Sequence, residues 1–436
     1  MKFSRYGVLI FIILSFILIF PSFRIQANTK TPSARYDWRE QGYDFPVRDQ
    51  GPCDGVGYAF AAIDAIQAAI WLNDGVKVDL SENNAKECNW DALNSSGEDF
   101  TCRPTDIRMV KNHFTQKGLV LEACDPYLHT ANTCKDTCPY QYRITEWQQF
   151  SDEYKILEET LIKQYLNQYG PLYSQMDPKI SGFADYTGGV LVDGSSFDQN
   201  KYTHGVLIVG WDNDLGSNGA WIIKNSYGTD WGNDGYFYLA YGNAGIGTSL
   251  ATVTEWEKPS IFDNLHFYDD AGFTISYSFE NDDLLSGSSM ALFHLEPGES
   301  LQAVEIWISD AATVNLEIYE QFNGIEPENL LYQNSDISFP YAGYHQIAVN
   351  HDFSLSEDNE IAVVVQVQNQ SNNYPVTLDR LGPPSDNKTW FLDDQGDWKS
   401  FLSLAPNQYD ATIRLRTFQI PAGFNHTIYM PSIFKN

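Results

Sequence analysis

The sequence predicts an α+β domain followed by an all-β sandwich. Helix-period and strand-period patterns are mixed over residues 36–256, whereas only short alternating segments recur beyond a linker-like stretch at Glu257-Lys258-Pro259-Ser260. The chain has 436 residues, enough for about two or three folded units. Its 43% apolar and 14% aromatic content excludes wholesale disorder.

Two helices are expected in the first part. Residues 59–72 carry apolar side chains at helical spacing and are followed by Asn73-Asp74-Gly75. A second helix is expected over residues 152–169, where Gly170-Pro171 stops it. Three strands follow between turns rich in Gly and Asn: His204–Trp211, Gly219–Asn225 and Gly235–Tyr241.

The second part shows strand patterns and no helix-period stretch of useful length, so a β-sandwich is the expected fold. Its clearest segments are Ala303–Ile308, Thr313–Tyr319, Glu360–Gln368 and Ala411–Phe418. We expect the sandwich over residues 258–420 and a C-terminal tail over 421–436.

The balance of charge excludes one class of partner. The chain has 27 Lys and Arg against 57 Asp and Glu, a formal net charge of −30. Binding to nucleic acid needs clustered basic residues, and an anionic membrane surface repels an acidic protein. We therefore expect no nucleic-acid partner.

The first residues predict export. Lys2 and Arg5 precede an apolar run over residues 7–20, which is shorter than the roughly 20 residues of a spanning helix. With the small residue Ala27, this pattern predicts a signal peptide over residues 1–27, and an uncleaved anchor is the alternative. We expect a secreted or cell-surface-associated protein with no membrane span after signal removal.

The cysteines number six, and all lie in the first third of the chain: Cys53, Cys88, Cys102, Cys124, Cys134 and Cys138. An even number in an exported chain favours three disulfides. A zinc site is the alternative because Cys134 and Cys138 are close together, but no CxxC pair occurs and His129 lacks a matching ligand. We expect no metal and no cofactor.

Three segments carry residues suited to catalysis: Pro46–Phe60, Tyr202–Trp211 and Trp221–Gly232. Together with Asp37-Trp38-Arg39 and Leu80-Ser81-Glu82-Asn83, they resemble the papain family of cysteine peptidases in chain order, over residues 36–250. The resemblance implies a papain-like fold with a helical left lobe and a β-rich right lobe. The expected domain spans residues 28–257.

The resemblance assigns roles to three residues. His204 would be the proton donor to the leaving amine, Asn225 would orient its imidazole, and Gln50 would occupy the oxyanion-hole position. The hairpin pattern supports the first pair independently. The mean of 204 and 225 is 214.5 and the loop 212–218 has its midpoint at 215, so the two should face each other within one residue. A polar pair at a sheet end is the alternative.

The nucleophile departs from the family pattern. Gly57 stands immediately before Tyr58-Ala59-Phe60, where the family has its catalytic Cys, and the loop from Gln50 is one residue longer. Glycine has no side chain, so no thioester can form at residue 57. Cys53 lies at a structural disulfide position and would need a loop shift and release from its partner to act instead.

A further departure affects substrate binding. The family has a Gly-rich stretch whose backbone pairs with substrate, whereas this chain has Cys102-Arg103-Pro104-Thr105. Proline removes an N–H donor there. Without a nucleophile, Gln50 is equally well explained as an amide that braces its loop.

The resemblance also implies the disulfide pairs Cys53–Cys102 and Cys88–Cys134, and leaves Cys124–Cys138 by exclusion among 15 pairings. The segment Phe262–Gly272 looks like the start of the lectin-like β-sandwich that follows papain-like domains in some secreted prokaryotic proteins. Acidic pairs such as Asp269-Asp270, Asp282-Asp283 and Asp393-Asp394 are expected to be solvated surface charge, with Ca²⁺ ligation as the alternative.

The leading hypothesis is a secreted papain-family homologue that is catalytically inactive and binds a peptide or protein in its cleft, with a glycan as a further ligand of the second domain. One alternative is an active endopeptidase that uses Cys53. The other is a cell-surface carbohydrate-binding or adhesion protein in which the first domain is only a scaffold.

Overall fold

The computed structural model describes residues 31–95, 100–152, 155–193, 204–279, 285–351, 360–404 and 409–419. The predicted signal peptide and the predicted C-terminal tail lie outside these residues. No helix in the described part of the chain is long and apolar enough to cross a membrane.

The α-helices of the described residues all belong to the first part of the chain: α1 Gly57–Asp74, α2 Glu82–Glu87, α3 Trp90–Asn94, α4 Ile107–Gln116 and α5 Glu159–Tyr169. Helix α1 confirms the first predicted helix and is two residues longer at each end. It is buried from Gly57 to Ile70, so it forms the centre of its lobe.

Helix α5 begins later than the sequence pattern predicts. Glu158 has an extended backbone, and the N–H of Leu157 donates to the carbonyl of Gly247 at 3.4 Å. The predicted start at residue 152 is therefore wrong, because Leu157 bonds to Gly247 and Glu158 is extended just before the helix begins.

The strands of the described residues are β1 Arg35–Asp37, β2 Arg143–Gln149, β3 Leu172–Met176, β4 Val190–Leu191, β5 His204–Asp212, β6 Ala220–Lys224, β7 Tyr236–Ala240, β8 Thr248–Glu257, β9 Asp263–His266, β10 Ile275–Tyr277, β11 Ser286–His294, β12 Glu299–Ile308, β13 Ala312–Phe322, β14 Pro327–Phe339, β15 Ala342–His351, β16 Glu360–Asn369, β17 Val376–Asp379, β18 Thr389–Leu392, β19 Trp398–Ser400, β20 Asp410–Ala411 and β21 Ile413–Gln419. Every strand predicted in either part lies within or overlaps one of these.

The largest sheet runs through both parts of the chain, in the order β4-β7-β6-β5-β3-β8-β2-β15-β12-β21-β9, with β1 added on β5. The junction is antiparallel, and Tyr344 of β15 lies opposite Trp147 of β2. A second sheet, β14-β13-β16-β11-β18-β19, packs over β12, β15 and β21 around a shared apolar core. The second part is therefore all-β, as predicted, but its sheet continues into the first part.

Buried ion pairs reinforce this junction. Arg143 of β2 donates to Glu305 of β12 at 2.6 Å, and both side chains are at most 2% exposed. Arg414 of β21 pairs with Asp269 at 2.6 Å and also donates to Thr115 of α4 at 3.1 Å. The expectation that Asp269 is solvated surface charge is therefore wrong, because its carboxylate neutralises a buried guanidinium.

Three disulfides cross-link the first part of the chain. They are the two pairs that the family resemblance implies and the third pair that was left by exclusion. Their Cα atoms are 4.7 Å apart in Cys53–Cys102, 4.8 Å in Cys88–Cys134 and 5.9 Å in Cys124–Cys138. Because Cys134 and Cys138 belong to different disulfides, the alternative of a zinc site at this pair is wrong.

Candidate active site

Gly57 lies at the start of α1, directly beneath the imidazole of His204. A Cβ placed on Gly57 would lie 2.6 Å from both Nδ1 and Cε1 of that ring. The preceding loop is held by the Cys53–Cys102 bond and by the N–H of Gly55, which donates to the carbonyl of Cys102 at 3.2 Å. The structure therefore brings residue 57 and His204 together at a helix N-terminus.

His204 and Asn225 form the second part of the site. The Nε2 atom of His204 lies 2.8 Å from Oδ1 of Asn225, and both residues are 3% exposed. Because an amide oxygen only accepts, this contact places the proton of the neutral ring on Nε2 and leaves the lone pair of Nδ1 on the side of Gly57.

The reasoning that put these two residues directly opposite each other is wrong in register. Strand β5 pairs with β6 so that Leu207 lies opposite Lys224, and Asn225 follows the end of β6. The hairpin turn is centred later than the pattern suggests, and a bulge between Ile208 and Gly210 shifts the pairing again. The His204 side chain reaches Asn225 along a diagonal instead.

Burial keeps the His204 ring neutral. Its ring centroid lies 5.8 Å from that of Phe183 and 5.3 Å from that of Tyr227. Burial among such groups lowers the pKa of His204 below its ordinary value, although the Asn225 hydrogen bond and the charge of Asp54 act in the opposite direction. A neutral imidazole therefore prevails at neutral pH.

Gln50 is buried at 1% exposure and is fully engaged by the chain itself. Its Nε2 donates to the carbonyls of Cys53 at 3.3 Å and Asp54 at 3.0 Å. Its Oε1 accepts from Oγ of Ser226 at 2.7 Å. A side-chain amide has two N–H donors, so both are used in bracing the loop, and an oxyanion would have to break one of these bonds.

The segment Cys102–Thr105, which the resemblance assigns to the substrate-pairing stretch, is in contact with the same loop. A Cβ on Gly55 would lie 2.4 Å from the backbone N of Pro104, so only glycine fits at residue 55. Beyond it, Thr105 Oγ1 hydrogen-bonds to Asp91. The Pro104 nitrogen carries no hydrogen, and the chain at this point offers the loop a packing surface.

Cys53 is fully buried, and its sulfur is bonded to Cys102. The remaining four cysteines form the other two disulfides, so none of the six cysteines has a free thiol.

Sequence reasoning missed several contributors to this site. Tyr227 and Ser226 follow Asn225 within the third quoted segment, and their order alone could have flagged them as neighbours of the imidazole and of Gln50. Phe183 has no comparable signal, because it lies outside every motif and reaches His204 only through the fold.

Comparisons with known proteins place two families along this chain. The family described as "Papain family cysteine protease" matches residues 32–254, and that described as "Lectin like domain" matches residues 265–412. Procathepsin L of Felis catus is 33% identical over 216 residues, which cover 47% of this chain and 59% of that protein. A cysteine protease of Blomia tropicalis is 29% identical over 213 residues, covering 49% and 62%. The chain thus spans less than two thirds of these relatives.

One solved structure resembles nearly the whole chain. It contains the cysteine protease and lectin-like domains of Cwp84, a surface layer associated protein of Clostridium difficile. The TM-score is 0.72 at 18% identity, with 90% of each chain covered. At that identity the likeness concerns the fold, and it confirms a papain-like fold followed by an all-β domain.

Proposed function

Because this chain belongs to the papain family of cysteine proteases, we propose that it is a member without peptidase activity, whose papain-type domain binds a peptide or protein and does not cleave it. The observation that carries the proposal is the contact between Gly57 and His204. The imidazole occupies the space of a nucleophile's side chain, since a Cβ on residue 57 would lie 2.6 Å from it.

The state of the remaining machinery supports the same proposal. The acyl-enzyme route needs a thiolate beside an imidazolium and a free donor for the oxyanion. In this chain His204 is buried and its pKa is lowered, and both N–H donors of Gln50 are bonded to loop carbonyls. Each feature favours a packed, inert site.

The alternative of an active peptidase that uses Cys53 has less support. That sulfur would have to be reduced, leave its fully buried position and move toward His204. Reduction would also release the Cys102 segment, which forms the cleft floor.

The test is a peptidase assay on the full chain with a pool of fluorogenic peptides under reducing conditions at neutral pH. We expect no turnover above the buffer rate. Turnover that disappears in His204→Ala and persists in the control His129→Ala, an exposed histidine, would contradict the proposal.

Binding is tested separately from cleavage. We expect a peptide-library selection on the immobilised full chain to enrich ligands that stay intact when recovered. Ligand binding should weaken in Asp54→Ala, whose residue lies on the loop before Gly57. Selection of no peptide would leave the inert domain as a scaffold.

A second proposed function is carbohydrate binding by the second domain, and the match of residues 265–412 to a lectin-like family favours it. The likeness to the surface-associated Cwp84 fold, with the signal-like first residues, leads us to propose a secreted or cell-surface location. We propose residues 28–257 and 258–420 as the two domains, with residues 1–27 as the signal peptide.

A further inference from the structure

The outer face of the sheet β14-β13-β16-β11-β18-β19 contains a groove with a cavity volume of about 280 Å³. Strand β13 alternates across this sheet. Val314, Leu316 and Ile318 point into the sandwich core, whereas Asn315 and Glu317 line the groove on the opposite face. The volume is close to the lower end of the range for small-molecule sites, about 300–1,000 Å³.

One wall of the groove is built from planar polar side chains that hold each other in place. Asn315 lies opposite Gln366 on β16, and its Nδ2 donates to Oε1 of Gln366 at 3.0 Å. Glu317 accepts from the hydroxyl of Tyr319 at 2.8 Å and from Nε2 of Gln333 at 3.2 Å. These bonds already fix the side chains, so the protein loses less conformational entropy when a ligand binds.

The other wall and the floor are apolar or aromatic. Val364 is 8% exposed and forms part of the floor, and the partly buried Trp398 lines the opposite side, where it pairs across strands with Leu392. The ring of Tyr319 also lines the groove. The groove thus presents aromatic surface facing a row of amide and carboxylate groups.

This combination matches the chemistry of a sugar ring. A pyranose has C–H groups that pack on an aromatic face and hydroxyls around its edge that both donate and accept hydrogen bonds. Amides such as Gln366 and a carboxylate such as Glu317 offer acceptors and donors for those hydroxyls. Aromatic side chains supply rigid contact area with little loss of conformational entropy.

The charge of the groove selects among saccharides. Its lining contains the carboxylate of Glu317 and no Lys or Arg among the described residues. An anionic ligand such as a sulfated glycan or a nucleic acid would meet a negative charge without a compensating cation.

We infer that this groove is the binding site for a neutral oligosaccharide, with Trp398 and Tyr319 as stacking surfaces and Glu317, Gln366 and Gln333 as hydrogen-bonding groups. The inference rests on the second proposed function, carbohydrate binding, and adds its site and ligand class. It is independent of whether the papain-type domain cleaves peptides.

The experiment is an array of neutral linear oligosaccharides built from glucose, N-acetylglucosamine, xylose or mannose, probed with the full chain. Sulfated glycans and peptides form the comparison arms. Titration calorimetry on the best neutral glycan then compares the wild type with Trp398→Ala and Gln366→Ala. The matched control is Gln368→Ala, an exposed glutamine on the same strand and face that does not line the groove.

We expect Trp398→Ala to weaken binding by about tenfold or more, the effect of losing one aromatic contact. Gln366→Ala should weaken it measurably, and Gln368→Ala should not. Glycan binding that all three variants retain would overturn the assignment of this groove and leave carbohydrate binding standing. Binding to no glycan would overturn both, and selective binding of sulfated glycans or peptides in the groove would overturn the ligand class.

Discussion

The imidazole of His204 lies against the backbone of Gly57, so close that a Cβ on residue 57 would be 2.6 Å from Nδ1. The same Cβ would lie 2.6 Å from Cε1, whereas two carbon atoms in contact are ordinarily about 3.5–4.0 Å apart. Any side chain at residue 57 must therefore move the ring. Gly57 therefore occupies the position of the family's nucleophile and also provides the space in which the His204 ring packs.

Gly57→Cys should give a thiol that reacts with iodoacetamide at about pH 6 faster than free cysteine does, because a helix N-terminus lowers a thiol's pKa and transfer of the thiol proton to His204 places the thiolate beside an imidazolium. The native cysteines are all disulfide-bonded and do not compete. The control Gly75→Cys places a thiol just after the other end of α1, where the helix dipole has the opposite sign.

The same Gly57→Cys variant should not recover peptidase turnover, because both amide donors of Gln50 remain engaged. Overpacking against His204 should also lower the free energy of unfolding by about 1–3 kcal/mol. Alkylation no faster than at residue 75 would show that residue 57 is not at the nucleophile position.

Gln50→Ala should destabilise the protein by about 1–3 kcal/mol, because it leaves buried partners of three hydrogen bonds unsatisfied. Urea unfolding measures this change. The exposed Gln395→Ala is the matched control and should be close to neutral. A Gln50 variant as stable as the wild type would contradict the bracing role.

Glu82→Gln should become stabilising as the pH rises. Burial, together with the charges of Glu122 and Asp64, raises the pKa of Glu82 to about 8. A carboxyl whose pKa is higher in the folded state stabilises the protein below its unfolded pKa, about 4.5, and this contribution is lost as the pH rises toward 8.

Relative to the wild type, Glu82→Gln should therefore gain about 2–4 kcal/mol between pH 5 and pH 8. Urea unfolding at both pH values measures the difference, and Glu296→Gln, an exposed residue, should show none. An equal effect of Glu82→Gln at the two pH values would rule out an unusual titration of this carboxyl.

Glu305→Gln should destabilise both parts of the chain together. The substitution removes one of the two carboxylates that pair with the buried Arg143, the other being Glu257, and it also removes the carboxylate that pairs with Arg416, which together costs about 3–5 kcal/mol. Calorimetry should show one transition that shifts as a whole, because β2 and β15 share a sheet. The surface pair of Lys399 and Asp397 is the control, and Lys399→Ala should leave the stability close to that of the wild type. Two separate transitions would contradict the coupling.

Local patterns predicted the local parts of the structure. The apolar spacing over α1 and the alternation in the strands predict the observed elements, because the apolar residues of each pattern are the ones that the fold buries. The His204–Asn225 contact was predicted as well, although its register was not, since a bulge at Val209 leaves no mark in a hydrophobicity pattern.

The features that sequence reasoning missed depend on partners far away in the chain. The start of α5 follows a segment in which the N–H of Leu157 donates to the carbonyl of Gly247, a residue that no local pattern pairs with it. The continuous sheet was also missed. The sequence of β2 predicts a strand, but it does not show that β15 pairs with the free edge of that strand.

The pairing of β2 with β15 has a consequence for how the protein is made. Gln148 and Gly343 are partners, and 343 − 148 gives a separation of 195 residues. During synthesis the papain-type segment therefore emerges long before the strand that covers its sheet edge. Non-local pairing of this kind slows folding, and an uncovered edge is open to pairing with other chains. The edge of β2 consequently stays exposed to aggregation until the C-terminal half of the chain has been translated.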